Sequence, residues 1–129
     1  MAFKTKIILV DDHSGFREGM KLLIEMEGLG EVIAEAENGQ VFIDLLESLD
    51  PDLVIMDIEM PVMGGVEAIR KAMIIRPGLK ILVLTLSSGQ NYYSSAINAG
   101  AMGFVLKSAG KQILEKAIKT LKKGECYFS

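Results

Sequence analysis

Asp52-Leu53-Val54-Ile55-Met56-Asp57-Ile58-Glu59-Met60-Pro61-Val62-Met63-Gly64-Gly65 is the stretch from which the fold can be read. Leu53 to Met56 run without a break into Asp57, and Pro61 and Gly64-Gly65 then bring turn chemistry. An apolar run bounded in this way fits a strand of a parallel sheet covered on both faces. A carboxylate directly after such a strand is costly to bury unless water, a cation or hydrogen bonds receive it. That predicts a crevice at the rim of the sheet for Asp57. The plainer reading, an aspartate that caps a turn, stays open on this stretch alone.

Working outward towards the start of the chain, Ile7-Ile8-Leu9-Val10 is a second apolar run ended by acids, Asp11-Asp12. Phe16, Met20, Leu23 and Ile24 follow at helical spacing, in a helix opened near Ser14 and closed by Gly28. Glu31 to Glu37 reads as a more polar edge strand. Asn38 is placed to cap the next helix, whose face is Phe42, Leu45, Leu46 and Leu49 and which Pro51 stops. Towards the end, Val66, Ile69, Arg70 and Met73 give a helix ended by Arg76-Pro77-Gly78, and Ile81 to Leu84 a strand terminating at Thr85. A polar stretch from Leu86 to Ser95 leads into a short helix that stops at Gly100. Gly103 to Leu106 then forms a strand ending at Lys107. Ser108 is the expected cap of the last helix, lined by Ile113, Leu114, Ala117, Ile118 and Leu121 before Gly124. Strands alternating with helices over short connections imply right-handed crossovers and a doubly wound parallel α/β domain.

The 129 residues suit one domain with its own core, and 50% hydrophobic against 24% charged residues argues against disorder. No apolar run approaches the ~18 residues that span a bilayer, and the start lacks a signal peptide's pattern, so a cytoplasmic protein without a membrane partner is expected. A single Cys126 and a single histidine, His13, argue against disulfides and against zinc or other soft metals. Net charge is only -3, and the lysines near the end (Lys111, Lys116, Lys119, Lys122, Lys123) carry no interleaved aromatics. They read as a solvated or partner-facing helix rather than a nucleic-acid grip.

Every polar residue that closes a strand falls on one rim: Asp11 and Asp12, Asp57, Thr85 and Lys107. Open α/β sheets bind ligands there, beside the switch point in strand order. With the order 2-1-3-4-5 the first and third strands are neighbours and the aspartates meet. Carboxylates 4 Å apart repel by about 4 kcal/mol per pair at an effective dielectric of 20, so a cation is required. Oxygen ligands with room for water suit Mg2+ or Mn2+. With Lys107 and the Thr85 hydroxyl around the same point, the set suits phosphoryl transfer in which Asp57 attacks in line and becomes an acyl phosphate.

In these residues the sequence resembles the receiver domain of bacterial two-component response regulators, over essentially the whole chain. The matches are Asp11-Asp12, Asp57 followed by Met60-Pro61 and Gly65, Thr85, Phe104 and Lys107. The resemblance implies a flavodoxin-like (βα)5 fold. It also implies Mg2+ held by Asp12, Asp57 and the main-chain carbonyl of Glu59, with Asp11 helping through water, and a sensor histidine kinase as phosphoryl donor. It further implies that Thr85 and Phe104 act as a switch, and that the domain catalyses only its own phosphorylation and dephosphorylation. The opening Asp-Asp-His-Ser-Gly-Phe-Arg and the close from Gly124 to Ser129 resemble the subfamily whose receivers precede a LuxR-type helix-turn-helix output. Residues 1–123 are then the receiver and 124–129 the start of a linker. A homodimer on activation, and DNA contact only through an output domain outside this chain, follow as expectations.

Departures from the family pattern are Gly64, expected to loosen the loop; Leu86, expected to restrict access to Asp57; Ser108 in place of proline, expected to keep a trans bond or rearrange the loop; and Glu59 and Ser87 flanking the site. The rival readings are a receiver-like dimerisation module that never turns over phosphate, and a Mg2+ phosphatase with an aspartyl nucleophile. A flavin site lacks a phosphate-cradling loop after the first strand.

Overall fold

The apolar runs become strands because each can be covered on both faces. The computed structural model describes residues 4–86 and 90–128. In chain order these form β1 (Lys6–Val10), α1 (Ser14–Met26), β2 (Glu31–Ala36), α2 (Gly39–Leu45), β3 (Leu53–Asp57) and α3 (Gly65–Ile75). They continue with β4 (Lys80–Thr85), α4 (Gln90–Ala99), β5 (Gly103–Leu106), α5 (Lys111–Lys122) and β6 (Tyr127–Phe128). The sheet is parallel, in the order β2-β1-β3-β4-β5-β6, so the predicted 2-1-3-4-5 holds and is extended by one strand.

Strand residues alternate between two layers. Ile8, Val10, Val54, Met56, Ile81, Val83 and Phe104 pack with Phe42, Ile69, Ala72 and Ala96 from α2, α3 and α4. Ile7, Leu9, Leu53, Ile55, Leu82, Leu84 and Val105 pack with Ile24, Leu114, Ile118 and Leu121 from α1 and α5. β3 is buried along its whole length, Asp57 included. That is the physical reason an unbroken apolar run was readable as its centre.

Tyr127–Phe128, in the stretch expected to start a linker, add a strand that pairs with β5 through Gly103 and Phe104, and Tyr127 N donates to Met102 O at 3.0 Å. Three expectations need correction. Ser108 does not cap α5: Lys107–Ala109 make a 3-10 turn, and Gly110, at φ 96°, stands at the cap without a side-chain bond. α4 begins at Gln90, inside the stretch read as polar lead-in. Arg70, placed with the helical spacing of α3, is exposed, and Ala68 and Ala72 fill the buried face with Ile69. Asn38 does cap α2, its Oδ1 accepting from Val41 N at 2.9 Å. All peptide bonds of the described residues are trans. Ser87 lies outside the described residues.

Helix ends at the rim where the strands begin are closed by basic side chains. Arg76 donates to Leu46 O at 3.0 Å and Leu49 O at 2.8 Å and pairs with Asp50 at 2.9 Å. Lys122 Nζ donates to Leu29 O at 2.8 Å, and Lys80 Nζ to Lys122 O at 3.1 Å. Leu46 and Lys122 stand at the ends of α2 and α5, and Leu29 and Leu49 just beyond the ends of α1 and α2, where helices leave carbonyls to be satisfied and cations meet the negative end of the dipole.

Candidate functional site

Register delivers the site. Val10 pairs with Met56, so Asp11 leaves β1 beside Asp57 at the end of β3. Asp57 pairs with Leu84 and Thr85 with Leu106, which steps Thr85 and then Lys107 along the same rim. Ligand atoms of Asp11, Asp12, His13 and Asp57 all lie within 4.8 Å of one another. The aspartates meet as expected, and His13, noted in the sequence only as the single histidine, joins them.

The loop after β3 turns sharply enough to set α3 against the strand exit. Gly65 N donates to Ile58 O at 2.9 Å, and a Cβ on Gly65 would fall 2.7 Å from Ile58 Cα and 2.8 Å from Asp57 O. Only glycine fits there. Val62, 83% exposed, sits at φ 68°, a left-handed conformation that costs a β-branched residue energy. Gly64 serves as the N-cap of α3 with an ordinary extended φ of -74°.

Lys107 Nζ lies 2.6 Å from Asp11 Oδ2 and 3.4 Å from Asp57 Oδ2, with all three side chains nearly fully buried. Its ammonium also sits 4.2 Å from the centroid of the Phe16 ring, a cation-π contact. The sequence pattern showed Phe16 only as a face residue of α1, because helical spacing says nothing about which distant lysine a ring will meet. Asp57 Oδ1 accepts from Glu59 N at 3.2 Å, and Asp11 Oδ1 accepts from His13 N at 2.8 Å. Arg17 donates to the main-chain oxygen of Asp11 and to Glu35 at 3.0 Å, tying the exit of β1 to β2. Burial raises the Asp57 carboxyl above the ordinary aspartate value of 3.8; Lys107 and the Glu59 N–H oppose this, and Asp11 adds to it.

Two of the three carboxylates thus share one ammonium. Asp12, whose side chain is a third exposed, turns its Oδ1 to His13 Nδ1 at 3.2 Å. An oxygen-rich cluster short of positive charge and open on the Asp12 side fits a hard divalent cation such as Mg2+. Thr85 is fully buried at the end of β4. Phe104 is buried too, at 3% exposure, with its ring edge-on to Tyr93 at 5.1 Å, and Tyr93 meets Phe128 at 6.2 Å. The ring of Phe104, expected as part of the switch, therefore lies inward here. Leu86, expected to restrict the site, is 70% exposed. Beside the loop, an open groove of about 380 Å³ lies between Glu59, Met60 and Tyr92.

Comparison with known proteins points the same way. Residues 7–119 match the model of the response regulator receiver domain. The transcriptional regulatory protein DegU of Brevibacillus brevis is 38% identical over 124 residues, which are 96% of this chain and 52% of DegU. This chain spans only about half the length of that relative. A LuxR-family two-component response regulator from an Aurantimonas species superimposes with a TM-score of 0.91 at 35% identity, over 98% of this chain and 89% of the other. The isolated receiver domain of RcsB from Salmonella enterica serovar Typhimurium, solved in the presence of the phosphomimetic BeF3-, gives 0.89 at 28% identity, over 98% and 94%. Among the described residues, no helix is long and apolar enough to cross a membrane.

Proposed function

Because the chain belongs to the response regulator receiver domain family, we propose that Asp57 is its phosphoacceptor and that phosphorylation by a sensor histidine kinase switches its output. The observation that carries this is the meeting of Asp11, Asp12 and Asp57 with Lys107 at one rim. Asp12, Asp57 and the main-chain carbonyl of Glu59, with Asp11 through water, would hold Mg2+ (or Mn2+), which would neutralise charge on the incoming phosphoryl oxygens.

The chain's own groups do the rest. A carboxylate oxygen of Asp57 attacks phosphorus in line, forming a P–O bond as the bond to the donor's imidazole nitrogen breaks. Lys107 leaves the Asp57 carboxylate for a phosphoryl oxygen, and the Thr85 hydroxyl donates to another. The burial of Asp57 and Lys107 restricts water at the attacking oxygen. Thr85 and Phe104 form the switch pair. Its movement alters the surface of α4, β5 and α5, which takes only a few kcal/mol of differential interaction. Hydrolysis of the acyl phosphate by the domain itself resets it. Control of transcription through an output domain beyond this chain is supported by the name of DegU as a transcriptional regulatory protein and by the LuxR-family relative, and a homodimer on activation by a related structure of two RcsB dimers bound to DNA.

The test is incubation with acetyl phosphate and Mg2+, followed by intact mass. Wild type should gain one phosphoryl group and Asp57→Ala none. A wild type that gains nothing contradicts the proposal and favours an interaction module without a working pocket.

A further inference from the structure

His13 opens α1, and its imidazole is turned onto the acid pair. Nδ1 lies 3.2 Å from Asp11 Oδ1 and 3.2 Å from Asp12 Oδ1. The His13 N–H donates to the same Asp11 oxygen at 2.8 Å, which pins the start of the helix, and so the ring, at this spot. Lys107 approaches the other oxygens, Oδ2 of Asp11 and Oδ2 of Asp57. The cluster therefore has two sides, one occupied by an ammonium and the other by an imidazole nitrogen among carboxylate oxygens.

The spacing on the imidazole side is that of a coordination shell. Around a six-coordinate ion with bonds of about 2.1 Å, neighbouring donors lie about 3.0 Å apart and opposite ones about 4.2 Å. The 3.2 Å separations, and the 4.8 Å within which all the ligand atoms fall, need little adjustment to meet that geometry. We propose that His13 Nδ1 is itself a ligand for a divalent ion in this pocket, giving it a preference for later first-row ions of the Co2+, Ni2+ and Zn2+ kind over Mg2+. This rests on the reading that the aspartates hold a cation, goes beyond it in naming the donor and the ion class, and departs from the sequence expectation that a lone histidine leaves only hard ions. An all-oxygen pocket favours hard ions; one imidazole nitrogen strengthens the later ones much more than Mg2+. Ligation through Nδ1 requires the ring proton on Nε2, where it is free to exchange with solvent.

His13 is the single histidine of the chain, so any ring signal from a paramagnetic ion is its own. Tag-free wild type, His13→Asn and Asp12→Asn are titrated calorimetrically with Mg2+ and separately with Co2+, and proton NMR is recorded on the Co2+ forms. Asn is a good helix N-cap and offers an oxygen, so His13→Asn keeps both the fold and a hard donor. The expected result is a loss of about tenfold or more in Co2+ affinity in His13→Asn, with Mg2+ affinity nearly unchanged. Wild type should show a strongly shifted, exchangeable ring proton that the variant lacks. Unchanged Co2+ affinity in His13→Asn, or no shifted ring proton in wild type, overturns the role of His13 while leaving Mg2+ binding intact. If neither ion binds wild type, or Asp12→Asn binds Mg2+ as well as wild type does, the cation site itself fails, and the proposal with it.

Discussion

At the rim where the strands begin, Arg76, Lys80 and Lys122 end on main-chain carbonyls, whereas at the rim where they end Lys107 ends on two carboxylates. Both arrangements follow from one topology. Parallel strands joined by helices put every helix C-terminus at the first rim and every helix N-terminus at the second. Orphan carbonyls at the first rim give each cation a neutral partner that is always present. At the second rim the acids of β1 and β3 meet each other, and no backbone group relieves them fully. One rim uses charge to close the fold, and the other holds charge in reserve for a ligand.

The largest expected effect separates the rims by stability. Lys107→Met strips the buried aspartates of their ammonium and should cost about 3 kcal/mol in urea unfolding without metal. Lys122→Met keeps the aliphatic stem and loses one hydrogen bond to a carbonyl, at a cost of about 1 kcal/mol. Equal losses would erase the distinction.

A smaller effect depends on pH. Burial raises the carboxyl of Asp57, so between 3.8 and its raised value the native state binds more protons than the unfolded chain. Stability from this group is therefore present at low pH and lost as pH rises through that window. Without metal, Asp57→Asn should be more stable than wild type at neutral pH, and the gain should fade below the ordinary aspartate value. Urea unfolding over a pH series checks this; a variant less stable than wild type at neutral pH would show that Lys107 outweighs burial.

What the sequence revealed follows the same division. β1, β3, β4 and β5 were readable because strands buried on both faces leave unbroken apolar runs, and the polar residue closing each run marked the rim. Asp11, Asp12, Asp57, Thr85 and Lys107 could be assigned to one edge before any distance was known. β6 was hidden because Tyr127–Phe128 is too short for any period to register. The misplaced cap at Ser108 arose because a serine after a strand signals a helix start, while the chain spends three residues in a 3-10 turn first. His13, Phe16 and Arg76 escaped for a different reason. Their roles depend on partners across the fold, and local spacing names a face but not the atom it will meet.

The most direct measurement is the melting temperature of wild type, Asp12→Asn, Asp57→Asn and Lys122→Met with and without Mg2+. An ion that binds only the folded acids must raise the melting temperature of the protein that keeps them. The expected result is a clear rise in wild type and Lys122→Met and almost none in either aspartate variant. A rise of equal size in all four, or none in wild type, would contradict the claim that these acids share one cation.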